Sequence, residues 1–297
     1  MRWTGVLPAI TTSFNKDLSV DHGFVAEHCR WLLGNGCTGI VPLGSLGEGA
    51  TLSPEEKVAV LRTCVEAAKS GAPIVAAISS LRTGEAVELA REAERVGCSG
   101  LMVLPPYVYQ GDWHEMKAHV SAILRATRLP AMLYNNPVAY GTDFVPEQIA
   151  ELAAEHPNLH AVKESSTDAR RVSAIRALLG EGITVCVGVD DAILEGIGVG
   201  AKGWIAGLVN AFPSESVALF EAGIKGDRKR AEELYRWFLP LLRMDTVPKF
   251  VQLIKLVQQE VGMGNERVRP PRLEIVGRER EETLAILQQA LATRPSL

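Results

Sequence analysis

Short apolar runs recur along the chain at intervals of roughly thirty residues, at 6–11, 39–43, 74–78, 100–104, 131–134, 160–163, 184–187 and 203–209. Several are apolar at successive positions rather than at alternate ones, the pattern of strands covered on both faces. Between them lie helical patterns at 20–33, 54–69, 84–96, 112–126, 146–156, 169–179 and 192–199. Their starts are marked. Ser53-Pro54-Glu55-Glu56 combines an N-cap serine, a proline at the first helical position and a glutamate at the third. Asp112-Trp113-His114-Glu115 has similar spacing, and Asp190-Asp191 offers another start.

Eight strands alternating with helices predict a parallel sheet, and that number closes. The expected fold is α/β, a (β/α)8 TIM barrel over residues 1–212, with a doubly wound open sheet as the alternative. Residues 213–297 carry further helical patterns at 214–224, 228–242, 247–261 and 280–292, with no separating linker. They are expected to pack on the barrel's side as a C-terminal helical extension.

Composition narrows the classes. With 297 residues, 47% hydrophobic and 22% charged, the chain can bury a large core, and a net charge of −4 leaves no nucleic-acid footprint. The densest basic stretch, Arg267 to Arg272, reads as a solvated loop. The most membrane-like window, 193–212, is interrupted by Glu195 and Lys202 and broken by five glycines, so it reads as helix, turn and buried strand. Five cysteines without a CxxC pair argue for a reducing compartment and against a disulfide framework or zinc site. Met1 to Val6 run straight into a strand pattern, which leaves no room for a signal peptide. A cytoplasmic location is expected.

Two motifs mislead. Gly198-x-Gly200-x-x-Gly203 matches a dinucleotide fingerprint, but it follows a helix and leads into a strand, the reverse of what a pyrophosphate site needs. His114-Glu115 with His119 approaches a zinc-protease motif, yet histidines five apart lie roughly 140° apart around a helix and share no metal.

In a closed barrel the chemistry belongs at the carboxyl ends of the strands. Of ten lysines, only Lys163 ends a predicted strand there. An amine at the rim of an apolar interior loses hydration, so its pKa falls and it becomes a nucleophile toward a carbonyl carbon. The bland alternative is a strand-end lysine reaching into water. The loop Gly44-Ser45-Leu46-Gly47-Glu48 exposes backbone N–H groups that suit a carboxylate, with a hydroxyl from Ser45, or is simply a tight turn. Tyr134, at the end of the fifth run, is an acid–base phenol or a buried aromatic. Gly188-Val189-Asp190-Asp191 offers carboxylates for substrate hydroxyls or caps the next helix.

Taken together, Gly44-Ser45-Leu46-Gly47-Glu48, Tyr134-Asn135-x-Pro137, Lys163-Glu164 and Gly188-x-Asp190-Asp191 resemble, in order and spacing, the dihydrodipicolinate synthase / N-acetylneuraminate lyase family over essentially the whole chain. The resemblance implies a (β/α)8 barrel, a homotetramer built as a dimer of dimers, no metal or organic cofactor, and a Schiff-base mechanism on a small 2-oxo acid. It makes Lys163 the Schiff-base lysine, Tyr134 the proton shuttle and Ser45 the hydroxyl that orients Tyr134. The loop at Ser45-Leu46 and Ile205 then border the substrate's carboxylate end, and Gly47, Gly188 and Asp190 complete the substrate-binding set.

The departures bear on substrate. Synthases of this family carry two threonines at Ser45-Leu46, a relay tyrosine at Val108, and an arginine for a second carboxylate within the stretch that here reads Val138-Ala139-Tyr140-Gly141. Tyr134-Asn135-Asn136-Pro137 with Asp245-Thr246-Val247-Pro248-Lys249 is most similar to the branch acting in hydroxyproline catabolism. That branch contains Δ1-pyrroline-4-hydroxy-2-carboxylate deaminase, which yields 2-oxoglutarate semialdehyde and ammonia. The alternatives are an aldolase or dehydratase of a 4-hydroxy- or 3-deoxy-2-oxo acid, the 4-hydroxy-tetrahydrodipicolinate synthase itself, and a non-enzymatic 2-oxo-acid sensor. The concurrence of Lys163, Tyr134 and Ser45 counts against the last. Tyr107, Tyr109 and Tyr140 are the candidates to replace the relay.

Overall fold

The computed structural model describes residues 1–68 and 71–297. Seven strands form one parallel sheet: β1 Gly5–Pro8, β2 Val75–Ile78, β3 Gly100–Val103, β4 Ala131–Asn135, β5 Leu159–Glu164, β6 Thr184–Val187 and β7 Gly203–Ala206. Their spatial order is β1-β7-β6-β5-β4-β3-β2, so consecutive strands are neighbours and the first also pairs with the last.

The gap between β1 and β2 is closed by the second predicted run. There Val41 bridges Ala9, and Ile40 bridges Ile74, both in parallel. Val41 N–H donates to Pro8 O at 2.8 Å on one side, and Val75 N–H to Ile40 O at 2.9 Å on the other. The molecule is a (β/α)8 barrel in which the second strand is reduced to its two bridging residues. Proline explains the brevity: Pro8, Pro42 and Pro73 each lack a ladder donor at this seam.

The helices of the ring are α1 His22–Gly34, α2 Pro54–Ala67, α3 Thr83–Val96, α4 Trp113–Ala126, the single turn α5 Pro137–Tyr140, α6 Pro146–Glu155, α7 Arg170–Leu179, α8 Ile193–Gly198 and α9 Pro213–Lys225. The expected end of the second helix, Lys69, lies outside the described residues. Two of the three sequence-marked starts are capping boxes: Ser53 Oγ accepts from Glu56 N–H and Asp112 Oδ1 from Glu115 N–H, each glutamate answering the cap's own N–H. The third, Asp190-Asp191, caps no helix: α8 begins after Ala192 without a side-chain cap. Helix α9 packs on β1 and α8, which makes it the helix of the last βα unit, so the boundary expected at 212 cuts that unit. Beyond the ring come α10 Arg228–Leu242, α11 Phe250–Glu260 and α12 Gly277–Ala292. Phe238, Leu241, Leu242, Val251 and Ile254 of this extension belong to the same buried cluster as the barrel.

Two differences from the apolar pattern matter for the site. The last run, expected as strand to 209, leaves the sheet at Ala206 and turns through a 3₁₀ segment, Leu208–Asn210. The cause is Asp190. Its buried carboxylate accepts from Leu208 N–H at 2.7 Å, Gly207 N–H at 3.1 Å and Trp204 Nε1 at 3.0 Å, pulling the chain out of strand register. Second, α10 leads through a 3₁₀ turn, Arg243–Thr246, that brings the extension over the barrel mouth. Among the described residues no helix is long and apolar enough to cross a membrane.

Candidate active site

A cavity of about 540 Å³ opens at the carboxyl ends of the strands. Ser45, Leu46, Tyr134, Lys163, Gly188 and Ile205 line it, so six of the eight residues singled out in the sequence converge there. They arrive from the ends of five strands or the loops that follow them, Ser45 and Leu46 sharing one loop, which is how a barrel gathers chemistry.

Lys163 sits in β5 in register with Tyr134 of β4 and Cys186 of β6. Only 6% of it is exposed, and its Nζ lies 3.9 Å from the centroid of the Tyr134 ring. Burial lowers the amine's pKa; Tyr140, Asp245 and Asp190, in that order, pull the other way. The net direction is down, toward the neutral nucleophile. Gly188 makes room for this side chain. A Cβ there would collide with Ser165 Oγ and lie 2.5 Å from Lys163 Cε, so any other residue would displace the lysine. The neighbouring Glu164 is structural: Ser166 N–H, Asn135 Nδ2 and Arg171 Nε occupy its carboxylate at 2.7, 3.1 and 3.4 Å.

Tyr134 is buried, and burial raises its phenol pKa, while the hydrogen bond donated by Asn136 Nδ2 at 3.0 Å works in the opposite direction. The sequence reading had Ser45 orient Tyr134. The structure instead pairs Ser45 Oγ with the hydroxyl of Tyr140 in a short hydrogen bond, and the Tyr140 ring meets Tyr134 edge to face at 5.7 Å. Tyr140 is also pushed up by burial and by Tyr134. Tyr107 stands 6.0 Å from Tyr140 between ring centroids, whereas Val108 is 73% exposed and Tyr109 turns away to Glu115. Within one chain, then, the row is Ser45, Tyr140, Tyr134, with Tyr107 behind it. Tyr140 is the last residue of the single turn α5, which ends at the left-handed Gly141.

Two expected site residues do not line the cavity. Asp190 is fully buried beneath it, where its oxygens serve Trp204, Gly207 and Leu208 as described; burial pushes its carboxyl up to about 6. Gly47 packs against the backbone of Ile10, and its carbonyl accepts from Thr12 Oγ1 at 2.6 Å. The loop that holds Gly47 is tightly constrained. Leu43 and Glu48 take left-handed φ values of 69° and 52°, and a Cβ on Gly49 would strike Leu43 O.

Three residues that the sequence reading left out of the site set also border the cavity. Ser165 is 1% exposed, and its Oγ has no hydrogen-bond partner. Asp245, from the 3₁₀ turn over the mouth, places Oδ1 where Gly207 would carry a Cβ. Arg272 enters from the C-terminal segment and approaches Glu48 at 3.9 Å. Among the described residues no group of three or more His, Cys, Asp or Glu could hold a metal ion.

A closed parallel barrel with a cavity at its strand ends, lined by a buried lysine and a row of hydroxyls, has the general form of a barrel enzyme. The chain belongs to the dihydrodipicolinate synthetase family, whose profile matches residues 2–290. It is 33% identical over 267 residues to the 4-hydroxy-tetrahydrodipicolinate synthase of Agrobacterium fabrum, covering 90% of this chain and 91% of that one. The Methanopyrus kandleri enzyme of the same name is 33% identical over 288 residues, 97% and 95% of the two chains. Among solved structures, dihydrodipicolinate synthase from Acinetobacter baumannii complexed with pyruvate superposes with a TM-score of 0.92 at 28% identity, covering 97% and 99% of the two chains.

Proposed function

We propose that this chain is a Schiff-base lyase acting on a small 2-oxo acid or its cyclic imine. The observation that carries the reading is the Lys163 amine, buried at the cavity floor over the face of Tyr134. The names of the relatives, and the pyruvate bound by one structural neighbour, support the same class.

For the substrate, the reading is Δ1-pyrroline-4-hydroxy-2-carboxylate, opened to 2-oxoglutarate semialdehyde and ammonia. Its support is the stretch Val138-Ala139-Tyr140-Gly141, which offers no cation to a second carboxylate, and the carboxyl of Asp245 in the cavity wall. Neutral Lys163 attacks C2, the ring C–N bond breaks, and the amine of the opened chain carries the released electron pair. The iminium at C2 draws electrons from C3–H, whose proton passes to the Tyr134 side. The resulting enamine expels the 4-hydroxyl as water. Tautomerisation makes an imine at C5; one water releases ammonia there, and a second frees Lys163 from C2. Backbone N–H groups of the Ser45–Leu46 loop face the carboxylate end.

A second reading is 4-hydroxy-tetrahydrodipicolinate synthase, the activity for which the curated relatives are named. Arg272, in the cavity wall, favours it as a cation for a second carboxylate.

Borohydride reduction in the presence of pyruvate tests the class. Mass should be added at Lys163 in the wild type and not in Lys163→Ala; absence of the wild-type adduct overturns the reading. Ammonia release from the cyclic imine, set against pyruvate consumption with aspartate semialdehyde, separates the two substrates.

A further inference from the structure

Two carboxylates border the cavity, Glu48 and Asp245. Glu48 is engaged. Lys255 Nζ donates to it at 2.9 Å and Arg269 N–H at 3.0 Å. Asp245 is not: among the described residues no lysine or arginine lies within ion-pair distance of it. Burial and the charges of Asp190 and Asp191 oppose its ionisation, while Lys163 and the Asp190 backbone N–H favour it. The group is built into its place, because Oδ1 fills the space over Gly207 that a side chain would need. The carboxyl shares the lining of one cavity with Lys163 and Tyr134. Nearby, Ser165 Oγ is buried with no partner in the chain and crowds the same Gly188 that clears Lys163. A carboxyl without a cationic partner, in the same cavity wall as the Ser165 hydroxyl, leaves acceptor capacity that a ligand's polar group can fill.

We propose that Asp245 is a catalytic acid that gives its proton to the hydroxyl leaving C4. The inference rests on the deaminase reading and holds equally for any dehydration of a 4-hydroxy-2-oxo acid. In the Lys163 enamine the nitrogen lone pair forms C2=N, the C2=C3 pair moves to C3=C4, and the C4–O pair leaves with oxygen. That oxygen takes the Asp245 proton and departs as water. Asp245 is left as a carboxylate, which solvent reprotonates before the next turnover. Burial, and after it the Asp190 charge, push the carboxyl's pKa up, the direction that favours the protonated form an acid needs. Tyr134, on whose ring face Nζ rests, remains free for the C3 proton.

The test uses Asp245→Asn in the full chain. The borohydride adduct with pyruvate should form as in the wild type, because imine formation needs no leaving group. Ammonia release from the 4-hydroxy imine should fall by about 10²–10⁴-fold, the range of general acid catalysis. With the 4-fluoro analogue, whose fluoride departs as an anion, turnover read at a fluoride electrode should stay within about tenfold of the wild type. Equal losses on the hydroxy and fluoro substrates overturn the proposal, and so does undiminished ammonia release. Should the pyruvate adduct vanish in both Asp245→Asn and Asp245→Ala, Asp245 serves only to position Lys163 and the acid role fails. A wild type that traps pyruvate but removes no 4-hydroxyl sinks the deaminase reading and this role together. A wild type that releases ammonia, with an equally active variant, sinks this role alone.

Discussion

At the residue scale, Lys163 is held in an environment that favours its uncharged form, and folding must bear that cost. Its folded pKa lies below the unfolded value of about 10.4, so between the two values the unfolded chain binds the extra proton and stability rises with pH. Lys163→Met should therefore raise Tm by a few °C at pH 7, with the gain shrinking as pH approaches 10, as followed by calorimetry across that range. A flat difference would mean that the amine is not depressed. Tyr140→Phe breaks the hydrogen bond to Ser45 while keeping the ring against Tyr134. It should lower kcat at least tenfold by removing a proton relay and leave the pyruvate adduct intact in mass spectrometry. Lys163 and Tyr134 were legible in the sequence because each closes an apolar run, a property of one dimension. The Ser45–Tyr140 bond spans 95 residues, and Asp245 joins Lys163 in the cavity from a distant part of the chain, so no local pattern announces either. Asp190 misled for a physical reason: an acidic residue after a strand looks the same whether its carboxylate faces a ligand or satisfies buried N–H groups.

At the element scale, the loop after the second strand carries Ser45 and Leu46, and one buried ion pair ties it to the helical extension. Lys255 of α11, 1% exposed, donates to Glu48 Oε1 and to Thr12 O, both at 2.9 Å, and lies 4.5 Å from the Phe14 ring centroid. Removing one member of such a pair leaves an uncompensated buried charge and costs about 3–5 kcal/mol, whereas replacing both with neutral groups is far milder. Glu48→Gln alone should thus destabilise by about that much in urea, and the double variant with Lys255→Met should recover at least half. If the losses simply add, the pair is not what anchors the loop. The helix starts were readable because capping boxes are local. The end of the last strand was not, since Asp190 determines it from another strand's loop. The second strand was placed correctly, but its reduction to two bridges follows from the prolines that line both seams.

At the scale of the whole molecule, eight apolar runs separated by helical patterns foretold the barrel, because closure follows from the count of βα units. How copies of the chain meet is not written in that count. The loops after β2, β3 and β4, consecutive in the sheet, expose Leu81 at 49%, Val108 at 73%, Tyr109 at 57% and Val138 at 71%. Apolar side chains concentrated on adjacent loops at one end of a barrel are the usual mark of a surface that another protein covers. The occupant we expect is a second copy, through a two-fold contact in which the same patch meets itself. Light scattering should return a multiple of the 32.1 kDa chain mass, and Val108→Glu combined with Val138→Glu should shift it toward the single chain while circular dichroism stays unchanged. Because Tyr107 precedes Val108 directly and lines the cavity, dissociation should also loosen the tyrosine row and raise KM. A double variant that stays assembled would place the interface elsewhere on the barrel.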